Sequence, residues 1–108
     1  MADPAAIAAI MNRMWAKFLP DIEERVAVLV NAAESASRGA LTAELREQAS
    51  SAAHKLAGIL GTFGLDEGTV LAREAESLYM RESTAMMLDG RPADLAAQLR
   101  AMVASRTS

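Results

Sequence analysis

Cysteine is absent from the 108-residue chain, which excludes disulfides, thiolate metal sites and cysteine nucleophiles. His54 is the single histidine, so a zinc site would be short of ligands. Aromatic residues make up only 4% of the sequence, and β-branched residues are few, leaving little to cover a pleated sheet. No stretch reaches the roughly 20 consecutive apolar residues that span a bilayer, and no basic segment leads into an apolar run at the amino terminus. Lysine and arginine are interspersed with acidic residues for a net charge of −3, so there is no basic stripe to attract nucleic acid. A cytoplasmic, monomeric protein without membrane or nucleic-acid partners is expected, and the Met1 start suggests a stand-alone chain.

Apolar residues account for 52% of the chain, and alanine, leucine and methionine dominate them, a composition that favours helices. The length suits one domain spanning residues 1–108. Asp3 as cap and Pro4 in the first turn predict a helix over about 4–18, with Ile7, Ile10, Met11, Met14 and Phe18 as its inner stripe and Trp15 beside it. This helix is expected to lie as a lid over the bundle. Pro20 predicts a kink or short break. Ile22, Val26, Leu29, Ala33 and Ala36 then define a second helix, ended by Gly39.

A third helix is predicted from near Leu41 or Thr42 to Gly64. A fourth opens at Asp66 or Thr69 with Val70, Leu71, Ala75 and Leu78 inward and Arg73, Glu74 and Glu76 outward. Thr84 to Leu88 either extends that helix or forms a turn, and Asp89 to Pro92 reads as a loop. The last helix is predicted from about Pro92 to Ala104, with Leu95, Leu99, Met102 and Val103 inward, followed by a frayed tail from Ser105. Together these elements predict an all-α fold, an antiparallel up-and-down four-helix bundle over about 21–104 with an additional N-terminal helix.

Chemistry concentrates around His54. On a helix advancing about 100° per residue, Leu45, Ala49, Ala52, Leu56, Ile59, Leu60 and Phe63 form one core stripe, and His54 stands about 160° away from it. Glu47, Ser50, Ser51, Gly58 and Gly61 share the histidine's side. Glycine costs about 1 kcal/mol against alanine inside a helix, so bare backbone beside an exposed imidazole suggests that another molecule approaches there.

The run Ala53-His54-Lys55-Leu56-Ala57-Gly58, followed by Gly61-Thr62-Phe63-Gly64-Leu65, resembles the signature of histidine-containing phosphotransfer (HPt) domains of two-component phosphorelays. The matching features are the histidine, an apolar residue two positions later, a glycine four later and a helix-ending glycine ten later. The resemblance is strongest from Leu45 to about Leu78. It departs at Ala57, where the family usually carries lysine, while Lys55 directly follows the histidine as in many members.

This resemblance implies that His54 carries a phosphoryl group through Nε2, exchanged with an aspartate of a receiver domain that brings its own Mg²⁺. The chain itself is then a phosphocarrier with neither a bound cofactor nor a metal site. Its expected partners are response-regulator receiver domains and a hybrid histidine kinase. Gly58, Gly61, Ser50, Ser51 and Lys55 are the expected docking surface, with Lys55 also able to offset phosphoryl charge. The residues alone supply neither a second histidine as base nor a phosphate-cradling glycine loop, so self-contained catalysis is not expected. An alternative reading is a nonphosphorylated helical adaptor using the same face, and a further one is a structural bundle that oligomerises through Met-rich surfaces.

Overall fold

A computed structural model describes residues 3–80 and 89–107. Four helices account for most of them: α1 (Pro4–Ser37), α2 (Ala43–Thr62), α3 (Asp66–Met80) and α4 (Arg91–Thr107). They form the expected all-α bundle, and no strand occurs among the described residues.

The helix boundaries follow from local chemistry. Asp3 caps α1, its Oδ1 accepting from the Ala5 amide at 3.2 Å, and Pro4 occupies the first turn, where its missing amide costs nothing. Gly39 adopts φ +66 just past α1, and the Ala40 amide returns to the Ser35 carbonyl at 2.8 Å. Thr42 caps α2 by accepting from the Leu45 amide at 3.0 Å. Gly64, at φ +73, lets the Leu65 amide close on the Leu60 carbonyl at 2.9 Å. Asp66 and Glu67 lie in the first turn of α3, where the helix dipole favours negative charge.

Pro20 does not break the chain. It lies inside α1, and the predicted separate N-terminal helix is the first half of one 34-residue helix. Proline removes one backbone hydrogen bond and costs about 3 kcal/mol in a helix interior. Here Trp15 on one side of it and Ile22 on the other are both buried in the common core, so tertiary packing holds both halves in one helix.

The predicted inner stripe of the first half is likewise corrected. Ile7 and Ile10 are each 48% exposed, and Met14 and Phe18 lie on the surface as well, whereas Trp15 is buried. Trp15 stacks edge-on against Phe63 at 5.2 Å between ring centroids, and its indole N–H donates to Thr107 Oγ1 at 3.1 Å. These contacts bring Trp15 level with the ends of α2 and α4, so about the first two turns of α1 extend past both helices. The same contact keeps residues 105–107 helical, where a frayed tail was expected.

Ile22, Leu29, Leu56, Leu60, Leu95 and Leu99 are fully buried and define the bundle axis. On α2 the large residues alternate with Ala49, Ala52, Ala53 and Ala57, all buried, which lets α1 and α3 approach closely. Gly68 serves the same close approach: a Cβ there would lie 2.7 Å from Met102 Sδ and 2.9 Å from Leu60 Cδ1, so those side chains would have to shift. In α3, Leu71, Ala75 and Leu78 face inward as predicted, but Val70 is 64% exposed. Ala72 and Tyr79 take up the remaining inward positions. The connection predicted over Thr84 to Leu88 lies outside the described residues. Asp89 and Gly90 form a turn, and Arg91 opens α4 while its guanidinium reaches Glu74 on α3.

Candidate functional site

The middle of α2 presents His54 to solvent. Its neighbours Ala53, Leu56 and Ala57 are buried, so the helix is anchored on both sides of the histidine while its side chain is 74% exposed. A side chain in this position is fixed at its backbone and open at its tip.

One contact orients the ring. Nδ1 lies 2.9 Å from Glu76 Oε2, across the seam between α2 and α3. An ionised carboxylate can only accept, so in this contact Nδ1 carries the proton and donates. The neutral ring is thereby held in the tautomer whose lone pair sits on Nε2. Nε2 has no hydrogen-bond partner among the described residues.

Glu76 was expected to point outward. Its side chain is instead 23% exposed and lies on the seam, because α3 runs antiparallel to α2 and places this turn beside His54. Twenty-two residues separate the pair in sequence, and no local spacing connects them. A carboxylate on a helix that also carries a core stripe is a weak signal, since several α3 positions meet it.

Of the predicted docking residues, Ser51, Lys55, Gly58 and Gly61 are exposed around His54 and Ser50 is half-buried. Gly58 is open: a Cβ built there meets nothing within 4 Å. Gly61 is not equivalent, because its Cβ would lie 3.3 Å from Thr69 Oγ1 and the position therefore also serves the α2–α3 contact. Glu47 is exposed, two turns from the ring. A shallow groove runs beside His54 toward the start of α2, lined by Arg46, Ser50, Ser51, Glu76 and Met80. Met80 is 68% exposed and gives this groove an apolar rim that sequence reasoning did not assign to the site.

Ala57, the position that departs from the HPt pattern, is only 7% exposed. Its carbonyl accepts from Thr69 Oγ1 at 2.9 Å, a further bond across the α2–α3 seam. No helix among the described residues is long and apolar enough to cross a membrane.

The arrangement can hold and release a group at one ring nitrogen, with a carboxylate behind the other. The family model of the Hpt domain matches residues 13–106, most of the chain, and the chain belongs to this family. Among curated proteins, Protein RcaC of Microchaete diplosiphon is 34% identical over 68 residues, which make up 63% of this chain and 10% of that protein. The chain thus aligns with about a tenth of that relative's length. No solved structure matches it. Hpt domains are phosphotransfer modules of two-component signalling rather than a family of catalytic enzymes, and they interact with receiver domains and kinases.

Proposed function

We propose that the chain is a phosphorelay intermediate that accepts a phosphoryl group on His54 from a receiver-domain aspartate and passes it to another receiver. The observation that carries this reading is the Glu76–His54 Nδ1 hydrogen bond, which leaves the Nε2 lone pair directed away from Glu76 on an exposed side chain.

The Nε2 lone pair attacks phosphorus of the aspartyl phosphate as the bond from phosphorus to the carboxyl oxygen breaks. The aspartate leaves as a carboxylate, and the ring, keeping its Nδ1 proton, becomes a phosphorylated imidazolium. Glu76 faces the positive charge that this step creates. In the reverse direction the N–P bond breaks with its electron pair returning to Nε2, and the ring leaves as neutral imidazole still carrying its Nδ1 proton, so the same carboxylate holds it in uptake and release. Phosphoryl transfer depends mainly on positioning and charge neutralisation, and the receiver supplies its acidic pocket and Mg²⁺. Gly58, Ser51 and Lys55 form the ground on which the receiver closes, with a hybrid kinase as the upstream source.

The test is incubation with radiolabelled phosphorylated receivers. Acid-labile label is expected on the parent and none on His54→Gln, with both proteins equally helical. Retained label in His54→Gln would move the carrier to another residue. Receiver binding without any label on the parent would favour the adaptor reading.

A further inference from the structure

The departure at Ala57 leaves the phosphoryl group without the lysine that the HPt pattern places one turn after the histidine. Position 57 is buried against α3 and its carbonyl is bonded to Thr69, so this position contributes no cation to the surface. The neighbouring helix does.

Two contacts mark the register of α2 and α3. His54 meets Glu76 at one level, and Gly61 meets Thr69 at the other. Midway between Thr69 and Glu76 on α3 stands Arg73, level with Ala57 and Gly58, which are midway between His54 and Gly61 on α2. Thr69, Arg73 and Glu76 follow one another at four and three residues and therefore share a helix face. Arg73 is exposed. No hydrogen bond or ion pair holds its guanidinium among the described residues. Its displacement from His54 along the bundle is about one helical turn, ~5 Å for three to four residues, within the span of an extended arginine.

Lys55 is the competing cation. It lies about 100° around α2 from the histidine, while Arg73 faces the same seam from which Glu76 reaches the ring. Arginine also presents a planar set of donors that suits phosphoryl oxygens.

We propose that Arg73 supplies the cation that neutralises the phosphoryl group on His54, across the α2–α3 seam, in place of the lysine absent at position 57. The proposal rests on His54 as carrier, and two experimental arms keep the two claims separate. In the first, His54 is loaded chemically with phosphoramidate, which needs no partner, and the phosphoryl resonance is titrated by ³¹P NMR. A nearby cation favours the dianion, so Arg73→Gln is expected to raise the phosphoryl pKa by at least about 0.3 unit, with Arg73→Lys close to the parent. In the second arm, transfer from a phosphorylated receiver is expected to slow about tenfold in Arg73→Gln and by less than about threefold in Arg73→Lys.

Lys55→Gln is measured alongside. An unchanged titration and unchanged transfer in Arg73→Gln would overturn the proposal, as would losses confined to Lys55→Gln or equal losses in the glutamine and lysine variants of Arg73. Failure of every receiver to label the parent would instead defeat the carrier reading, with the phosphoramidate arm still deciding whether Arg73 meets the phosphoryl group.

Discussion

Glu76 Oε2 stands 2.9 Å from His54 Nδ1, joining the third helix to the exposed ring of the second. The contact makes two helices, rather than one, responsible for the state of the candidate phosphoryl carrier. Glu76→Gln keeps a similar shape but removes the charge that faces the ring during transfer. Transfer from a receiver is expected to fall about tenfold, equivalent to about 1.4 kcal/mol in the barrier. Ring ¹⁵N shifts in the same variant should show the proton less confined to Nδ1. Unchanged shifts and unchanged transfer would make the contact incidental.

Gly58 separates stability from function. A Cβ there meets nothing, and the residue lies inside α2 without a positive φ, so Gly58→Ala should stabilise the helix by up to about 1 kcal/mol. Gly58→Leu should also fold, with a melting temperature within a few degrees of the parent. Its side chain would occupy the ground beside the ring, and a misplacement of about 1 Å can slow a positioned reaction 100-fold. Phosphotransfer is expected to fall at least about tenfold. Normal transfer by the leucine variant would show that the receiver does not approach at Gly58.

Trp15 anchors the first half of α1. It touches Phe63, donates to Thr107, and carries the Arg106 guanidinium 5.1 Å from its ring centroid. Removing it leaves α1 before Pro20 with mostly exposed residues, so Trp15→Ala should cost about 3–5 kcal/mol. Trp15→Phe keeps much of the packing and loses the indole hydrogen bond, for about 1 kcal/mol. Denaturant unfolding followed by circular dichroism measures both. Equal stability of the alanine variant and the parent would mean that the first turns hold without this anchor.

Tyr79 predicts an alkaline limb in stability. Burial pushes its hydroxyl up to about 12. A raised acid pKa means that the fold favours the neutral phenol, so this contribution is complete below the unfolded value near 10 and is lost as pH rises from there through about 12. Its size is on the order of 1–3 kcal/mol. The hydroxyl has no hydrogen-bond partner among the described residues, so Tyr79→Phe should cost less than about 1 kcal/mol at neutral pH. The variant should lose less stability than the parent between pH 10 and 12, measured by chemical denaturation. An identical alkaline limb in both would assign the loss to other groups.

The sequence by itself determined the helical class, the core face of α2, and the exposure of His54. These depend on the 3.6-residue period and on local signals such as Gly39 and Gly64, which act within a few residues. The Hpt family was legible for the same reason, since its histidine and glycines lie on one helix or just past its end.

Tertiary structure alone decided the rest. Pro20 looks like a break because a local rule measures only the lost hydrogen bond, whereas Trp15 and Ile22 are held by partners distant in the chain. The stripe from Ile7 to Phe18 has a helical period, but period cannot tell an inner face from an outer one: Ile7 and Ile10 lie where α1 extends past the neighbouring helices, and Phe18, beside Phe63, stays on the surface. Glu76 and Arg73 become neighbours of His54 only through the antiparallel register of α3 on α2. That register is set by close approach at Ala57, Gly61 and Gly68, where small residues far apart in sequence let two backbones meet.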